Sequence, residues 1–352
     1  MVSETKPDFG LDYPATWQQF RAWFPDEQAC IAYLERLRWP NGFHCPKCSS
    51  EKGWRLPDGR STCAGCTRKV SVTAGTIFDR SRVPLADWFT AIWFMTNQKY
   101  GVSALGLQRL LGLGSYQTAW TMLRKLRAAM VRPGRERLQG TVEVDETYLG
   151  GIEQGTRGRG TERKFIVAIA IEVLSPIGFG RVRLKRVADA SSRSLTPFAQ
   201  FAIEPGSQVR TDGWKGYAGL AKEGYEHHAV RISSSGDPAH VVMPGVHKIA
   251  SLLKRWMLGT HQGSVTATHL DAYLDEFAFR FNRRKSRRRG MLFHRLLENA
   301  VATQPTRYRP SRANQTTSKT QPVGATVLRQ LPHFTLRPIR EFFRGWPARS
   351  PR

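Results

Sequence analysis

The sequence predicts a multidomain α+β protein, and three observations along it do so. Two closely spaced cysteine pairs fall between residues 45 and 66, apolar residues recur at helical spacing from Pro84 to about Met130, and beyond Gly140 the apolar pattern switches to alternation. At 352 residues the chain is long enough for several units with cores of their own. Its 40% hydrophobic and 11% aromatic content excludes a fully disordered chain. Fifty-four Lys and Arg against 28 Asp and Glu leave a formal charge of +26, which calls for a polyanionic partner, nucleic acid first. No run approaches the roughly 20 apolar residues that span a bilayer, and the polar, acidic stretch from Met1 to Asp12 is unlike a signal sequence. A cytoplasmic protein without a membrane partner is expected.

Residues 14–40 carry apolar groups at helical spacing in two short runs, a helical lead-in. Asp26 suits the cap of the second run and Glu27 its first turn. Cys30, beside Ile31 and Leu34, reads as a buried apolar residue. Residues 41–82 form the next unit. Here Cys45-Pro46-Lys47-Cys48 and Cys63-Ala64-Gly65-Cys66 flank a hairpin signal, Trp54-Arg55-Leu56 turning at Pro57-Asp58-Gly59. Two such knuckles set four thiolates around one tetrahedral ion at about 2.3 Å. A closed four-sulfur shell leaves no position for water, so the expected Zn²⁺ is structural, holding a ribbon too small to support itself. His44 is adjacent but surplus.

Residues 83–131 read as three helices. Ser103 and Ser115 are natural N-caps for the second and third, and the intervening Gly112-Leu113-Gly114 makes the layout a helix-turn-helix. The third helix, SYQTAWTMLRKLRAAM, would enter a DNA groove with Gln117, Thr118 and Thr121 at its exposed start and Arg124 and Lys125 behind them. A plain helical bundle with Trp120 and Leu123 in its core is the alternative.

After a linker, Thr141 to Tyr148 alternates, with Val142 and Val144 on one face and Glu143 and Asp145 on the other. Then come a long strand KFIVAIAIEVL, the stretch RVRLKRVAD, a helix from Ser192 to Ala202, the strand SQVRTD, a short helix from Tyr217 to Lys222 and the strand HHAVRI. Three strands, helix, strand, helix, strand, helix is the order of a ribonuclease-H-like α/β catalytic domain with a mixed five-stranded sheet, over residues 140–300. In that order Asp145, mid-strand, and Asp212, at a Gly213 turn, meet at one edge around a shared divalent ion. For each alone, a solvated strand face is the alternative. A later helix, THLDAYLDEFAFRFNRR, buries Leu270, Tyr273, Leu274, Phe277 and Phe281 and ends in Arg280, Arg283 and Arg284, a basic end suited either to the DNA backbone or to plain solvation. Residues 301–352 read as a basic, disordered tail: from residue 302 on they carry ten Lys or Arg against a single acid, Glu341.

Together CPKC, CAGC, VEVDETYLGG, TDGWKGY, HKIASLLKRWMLGTHQG and HLDAYLDEFAFRFNRR resemble bacterial insertion-sequence transposases of the zinc-ribbon, DDE-superfamily type, over about residues 15–300. The resemblance implies a nucleoid-associated enzyme that binds the terminal inverted repeats of a mobile element, cuts its ends and joins the freed 3′-hydroxyls to target DNA. It implies double-stranded DNA and further copies of the chain as partners, and Mg²⁺ or Mn²⁺ as the catalytic metal. It also implies Asp145 and Asp212 as the first two metal-binding residues, and a third on a later helix seven residues before a Lys, here His247 before Lys254. Seven residues at about 100° each come within roughly 20° of two full turns, so the pair shares a helix face. Glu occupies the third position in the DDE pattern, whereas this family varies there among Glu, Asn and His.

A neutral imidazole removes one negative charge from the site, which weakens its hold on Mg²⁺ or shifts it toward Mn²⁺. His247 as ligand, as orienter of water or phosphate, or as a surface residue at a helix start all stay open, as do Asp237, Glu143 and Glu276 as substitute carboxylates. Lys254 would place a phosphate as a point charge, and Trp256 reads as core. Two readings of other kinds remain: a non-catalytic DNA-binding regulator derived from a transposase, and a structure-specific DNA nuclease.

Overall fold

A computed structural model of the chain describes residues 7–8, 10–131, 134–150, 164–176, 178–230, 238–261 and 266–305. Asp237 and the expected tail beyond residue 305 lie outside the described residues. Two short helices, α1 (Trp17–Trp23) and α2 (Glu27–Arg38), open the fold. Asp26 caps α2 as expected, accepting the Ala29 N–H at 2.9 Å. Glu27 stands in the first turn of α2, as expected, and also acts across space. Its carboxylate accepts the amides of Leu85 and Ala86 at 2.9 and 3.1 Å. Those amides open α3 (Leu85–Asn97), whose N-cap Pro84 supplies no side-chain acceptor.

Three short antiparallel strands, β1 (Gly53–Arg55), β2 (Ser61–Cys63) and β3 (Lys69–Val70), form the ribbon. The β1–β2 hairpin turns at the expected Pro57-Asp58-Gly59, where Gly59 takes φ +78°. Next, α4 (Ala104–Leu111) and α5 (Tyr116–Ala129) are capped by Ser103 and Ser115, and Gly112 ends α4 in the left-handed conformation, φ +63°.

An aromatic core joins these helices to the far end of the chain. Phe20, Phe24, Tyr33, Phe89 and Trp93 surround Phe293, with ring centroids 5.4 to 6.3 Å from it. Phe293 belongs to α10 (Arg289–Ala302), a helix to which the sequence reading gives no role of its own. Tyr33 Oη and His294 Nδ1, 2.7 Å apart, add a buried polar contact on the same helix.

The second sheet contains β4 (Thr141–Leu149), β5 (Phe165–Val173), β6 (Phe179–Val187), β7 (Gln208–Thr211) and β8 (Glu226–Ala229), in the order β6-β5-β4-β7-β8. The first three strands pair antiparallel, and β7 and β8 add in parallel. One face packs on α6 (Ser192–Ala202) through Val142, Val144, Leu195 and Phe198. The short helix expected over Tyr217–Lys222 is instead a pair of 3₁₀ turns, Lys215–Tyr217 and Leu220–Glu223, separated by Ala218 and Gly219. The other face packs on α8 (Pro244–His261) and α9 (Ala267–Asn282), with α7 (Ala239–Val242) leading in. Trp256 is core, as expected, and donates its indole N–H to Tyr100 O at 2.9 Å.

A buried ion-pair network ties the helical unit to α9. Glu276 is fully buried and binds Arg127 of α5 at 2.7 Å and Arg280 at 2.9 Å. Arg280 continues to Gln98 O at 2.8 Å and to Met95 O at the end of α3. The sequence reading offered Arg280 to the DNA backbone and Glu276 to the metal, but both are engaged inside the fold. Removing one partner of such a network strands the others' charge away from water. Glu276→Ala should therefore cost about 3–5 kcal/mol in urea-unfolding free energy, and Glu276→Gln, which keeps the shape and an acceptor oxygen, should cost less.

Candidate catalytic centre and metal ribbon

The parallel pairing of β4 with β7 sets the candidate centre. Thr141, Val142 and Glu143 face Gln208, Val209 and Arg210. Continued two residues past Glu143 and Arg210, the same register aligns Asp145 with Asp212, the residue that follows β7. Asp212 Oδ1 accepts the Trp214 N–H at 2.9 Å as the chain turns through Gly213 at φ +80°. Tyr217 lies buried beside both. Its hydroxyl donates to Glu146 Oε2 at 2.9 Å. Burial first, then the negative charges of Glu146, Asp145 and Asp212, hold its pKa well above the usual tyrosine range. Glu146 thus binds this hydroxyl directly, while Asp145 and Asp212 act on it by charge. Glu146 escapes the sequence reading because alternation turns it to the face opposite Asp145, and only the fold brings Tyr217 to it.

Helix α8 is fastened to this strand by Glu143. Its Oε2 accepts the first-turn amides of Gly245 and Val246 at 2.7 and 3.1 Å, while Oε1 lies 3.8 Å from the Arg210 guanidinium on β7. The approach is close enough to require glycine: a Cβ at residue 245 would meet Glu143 Oε2 at 2.8 Å and the Phe179 ring at 2.9 Å. His247 follows in the same turn and is half-buried, and Lys254 is exposed two turns along. Glu143 thus caps the amide end of the helix. Among the described residues, the only group of three or more His, Cys, Asp or Glu with ligand atoms within 4.8 Å of one another is a cysteine set. Asp145, Asp212 and His247 do not close a cage of that size.

That cysteine set is Cys45, Cys48, Cys63 and Cys66. Cys45 and Cys66 sulfurs lie 3.7 Å apart and those of Cys48 and Cys63 3.4 Å apart. Zn–S bonds of about 2.3 Å in a tetrahedron require roughly 3.8 Å between sulfurs, so the residues fit zinc. The backbone amides of Cys48 and Lys47 lower the pKa of Cys45. For Cys63, burial opposes ionisation, but amide donors from Cys66 and Gly65 and the neighbouring thiols bring it down to about 6. Thiolate, the form zinc takes, is favoured at these two positions. Cys30 is outside the set, buried, with its thiol pushed up to about 12 by burial and by Glu27 and Asp26, as an inert core residue would be.

Comparison with known proteins adds to this geometry. Residues 137–282 match the ISXO2-like transposase domain, and residues 25–69 match the transposase zinc-ribbon domain. The chain is also 30% identical over 279 residues to the "Uncharacterized protein in transposable element ISH50" of Halobacterium salinarum, spanning 73% of this chain and 91% of that one. The chain belongs to this insertion-sequence transposase family. No helix among the transposase's described residues is long and apolar enough to cross a membrane.

The remaining expected site residues divide by placement. On α5, Gln117 is exposed and Thr118 and Thr121 are half-buried. Arg124 lies over the Trp120 ring at 5.9 Å. Lys125 turns inward, donating to Ile77 O at 2.8 Å. Arg284, expected on the DNA backbone, donates to Phe179 O, Gly180 O and Phe281 O and covers the Phe281 ring at 3.8 Å. Arg283 stacks on Phe279 at 4.0 Å. The last carbonyls of α9 and those at the start of β6 need donors, and these side chains supply them. The purified transposase should carry one zinc ion per chain by elemental analysis, and Cys63→Ser should lose it together with a cooperative part of the thermal unfolding signal.

Proposed function

We propose that the transposase cleaves the ends of its element and joins the freed 3′-hydroxyls to target DNA by phosphoryl transfer at Asp145 and Asp212. The observation that supports this reading is the β4–β7 register, which points toward an alignment of Asp145 with Asp212 when continued two residues past Glu143 and Arg210, with both carboxylates acting by charge on Tyr217. Three antiparallel strands continued by two parallel ones, with helices on both faces, support a ribonuclease-H-like domain around them. Asp145 and Asp212 are hard oxygen donors suited to Mg²⁺ or Mn²⁺, which when bound would activate the attacking oxygen and stabilise the leaving one.

The chain's own groups do the rest. Tyr217 holds the Glu146 carboxylate beside the pair, and Glu143 fixes the start of α8, so that His247 approaches the centre from the helix's first turn. Lys254, on the exposed side of the same helix, places a phosphate by charge. In a helix-turn-helix formed by α4 and α5, Gln117, Thr118 and Thr121 meet base edges and Arg124 a phosphate. The zinc ribbon supports end recognition. Two ends must be held together, so the working form is a homo-oligomer.

A second reading, a DNA-binding regulator without chemistry, is favoured by His247 in place of a third carboxylate and by the open ligand set. One assay separates the two: nicking, in Mn²⁺ or Mg²⁺, of a duplex bearing the inverted repeats that flank the reading frame. The expected result is nicking by the wild type, with a loss in Asp145→Asn and Asp212→Asn beyond the roughly 10- to 100-fold that follows removal of a metal ligand's outer partner, and with DNA affinity retained. His247→Ala should be slower and His247→Glu should keep part of the rate. Wild-type nicking in both Asp variants would remove the chemistry from these residues.

A further inference from the structure

Strand β6 lies at the sheet's edge and carries Arg181, Arg183 and Lys185 at alternate positions, so the three side chains leave one face. Arg183 is only 5% exposed. Its guanidinium donates to two backbone carbonyls, Val182 O at 3.1 Å and Glu136 O, and among the described residues no carboxylate forms an ion pair with it. Glu136 and Glu172 are bound instead by Arg181, at 2.7 Å each. A buried cation without a counter-ion is costly, and proteins rarely keep one.

The space beside it is a cavity of 320 Å³ lined by four arginines, Arg135, Arg181, Arg183 and Arg283, against two acids, Glu136 and Asp275. Asp275 compensates poorly. It stands 3.8 Å from Arg135, and burial pushes its carboxyl up to about 6. Burial, then repulsion from Arg135 and Arg181, brings the Arg183 pKa down to about 10, outweighing the opposing charges of Glu172 and Glu136.

We propose that this cavity is a phosphate site, with Arg183 at its floor, Arg135 and Arg283 on its walls and Arg181 held in place by its two glutamates, and that it takes a backbone phosphate of bound DNA. Guanidinium forks match phosphate oxygens in geometry as well as charge. Arg183 faces Ala170, which faces Val144, so the backbone of Arg183 is two strand spacings, about 10 Å, from the strand of Asp145, and its side chain leaves the opposite face at the sheet's edge. Its loss should change the hold on DNA and leave the chemistry intact.

The assignment rests on DNA as the substrate, and the experiment separates the two. Wild type, Arg183→Gln and the wall variant Arg135→Ala are melted in inorganic phosphate and in chloride at equal ionic strength, then titrated with duplex DNA over a salt series. Phosphate should raise the wild-type melting temperature and not that of the variants. The variants should bind DNA about tenfold more weakly, with the log–log salt slope shallower by about 1, while kcat at saturating DNA stays unchanged. Should Arg183→Gln fail to fold, Arg135→Ala carries the comparison. Wild-type DNA affinity and slope in the variants would overturn the proposal, and so would a phosphate effect on melting alone, which would mark a free-anion site. A wild-type protein that neither binds nor nicks DNA would instead overturn the transposition chemistry, with the melting series still deciding the cavity.

Discussion

The fully buried carboxylate of Glu276 is the contact on which the arrangement of the molecule depends. Burial alone would raise its pKa, but Arg127 and Arg280 more than reverse this, so it stays charged between them. Through it α5, the C-terminal end of α3 and α9 are held as one block. Such a trio is weak as a source of net stability, because desolvation offsets most of the attraction. Its value lies in geometry: two forked guanidiniums and one carboxylate admit few relative placements of the three helices.

Glu143 repeats the strategy on the strand that carries Asp145. A carboxylate on the central strand grips the amide end of α8, and Arg210 from the next strand approaches its free oxygen. The helix bearing His247 and Lys254 is thereby referenced to the strand bearing Asp145. Both devices bury acids that, in a chain with a formal charge of +26, are in short supply. The excess of base is also less available than its total suggests. Arg280 and Arg284 are committed to backbone carbonyls, Lys125 to Ile77 O, and Arg127 to Glu276.

Local signals are legible in the sequence because their physics acts over a few residues. Ser103, Ser115 and Asp26 cap the helices they precede, the Pro57-Asp58-Gly59 turn makes the hairpin, and the two cysteine knuckles meet. A mixed five-stranded sheet also follows from the sequence of elements. The α5 start, Asp145 and Asp212 were identified as the candidate site from periodicity and resemblance. Glu27, by contrast, caps a helix 58 residues away, and α10, which follows the second sheet and its helices in the chain, completes the N-terminal aromatic core; neither leaves a local mark.

The sequence by itself determined the kinds of elements, the zinc ligands and the family, since spacing, capping and alternation are properties of neighbouring residues. Tertiary structure alone decided which charges are internal. The amide that Glu143 binds is 102 residues distant, and Glu276 lies 149 residues from Arg127. Whether a carboxylate is a cap, a strut or a ligand depends on what surrounds it once water is gone, and a desolvated charge takes whichever partner the fold brings within reach.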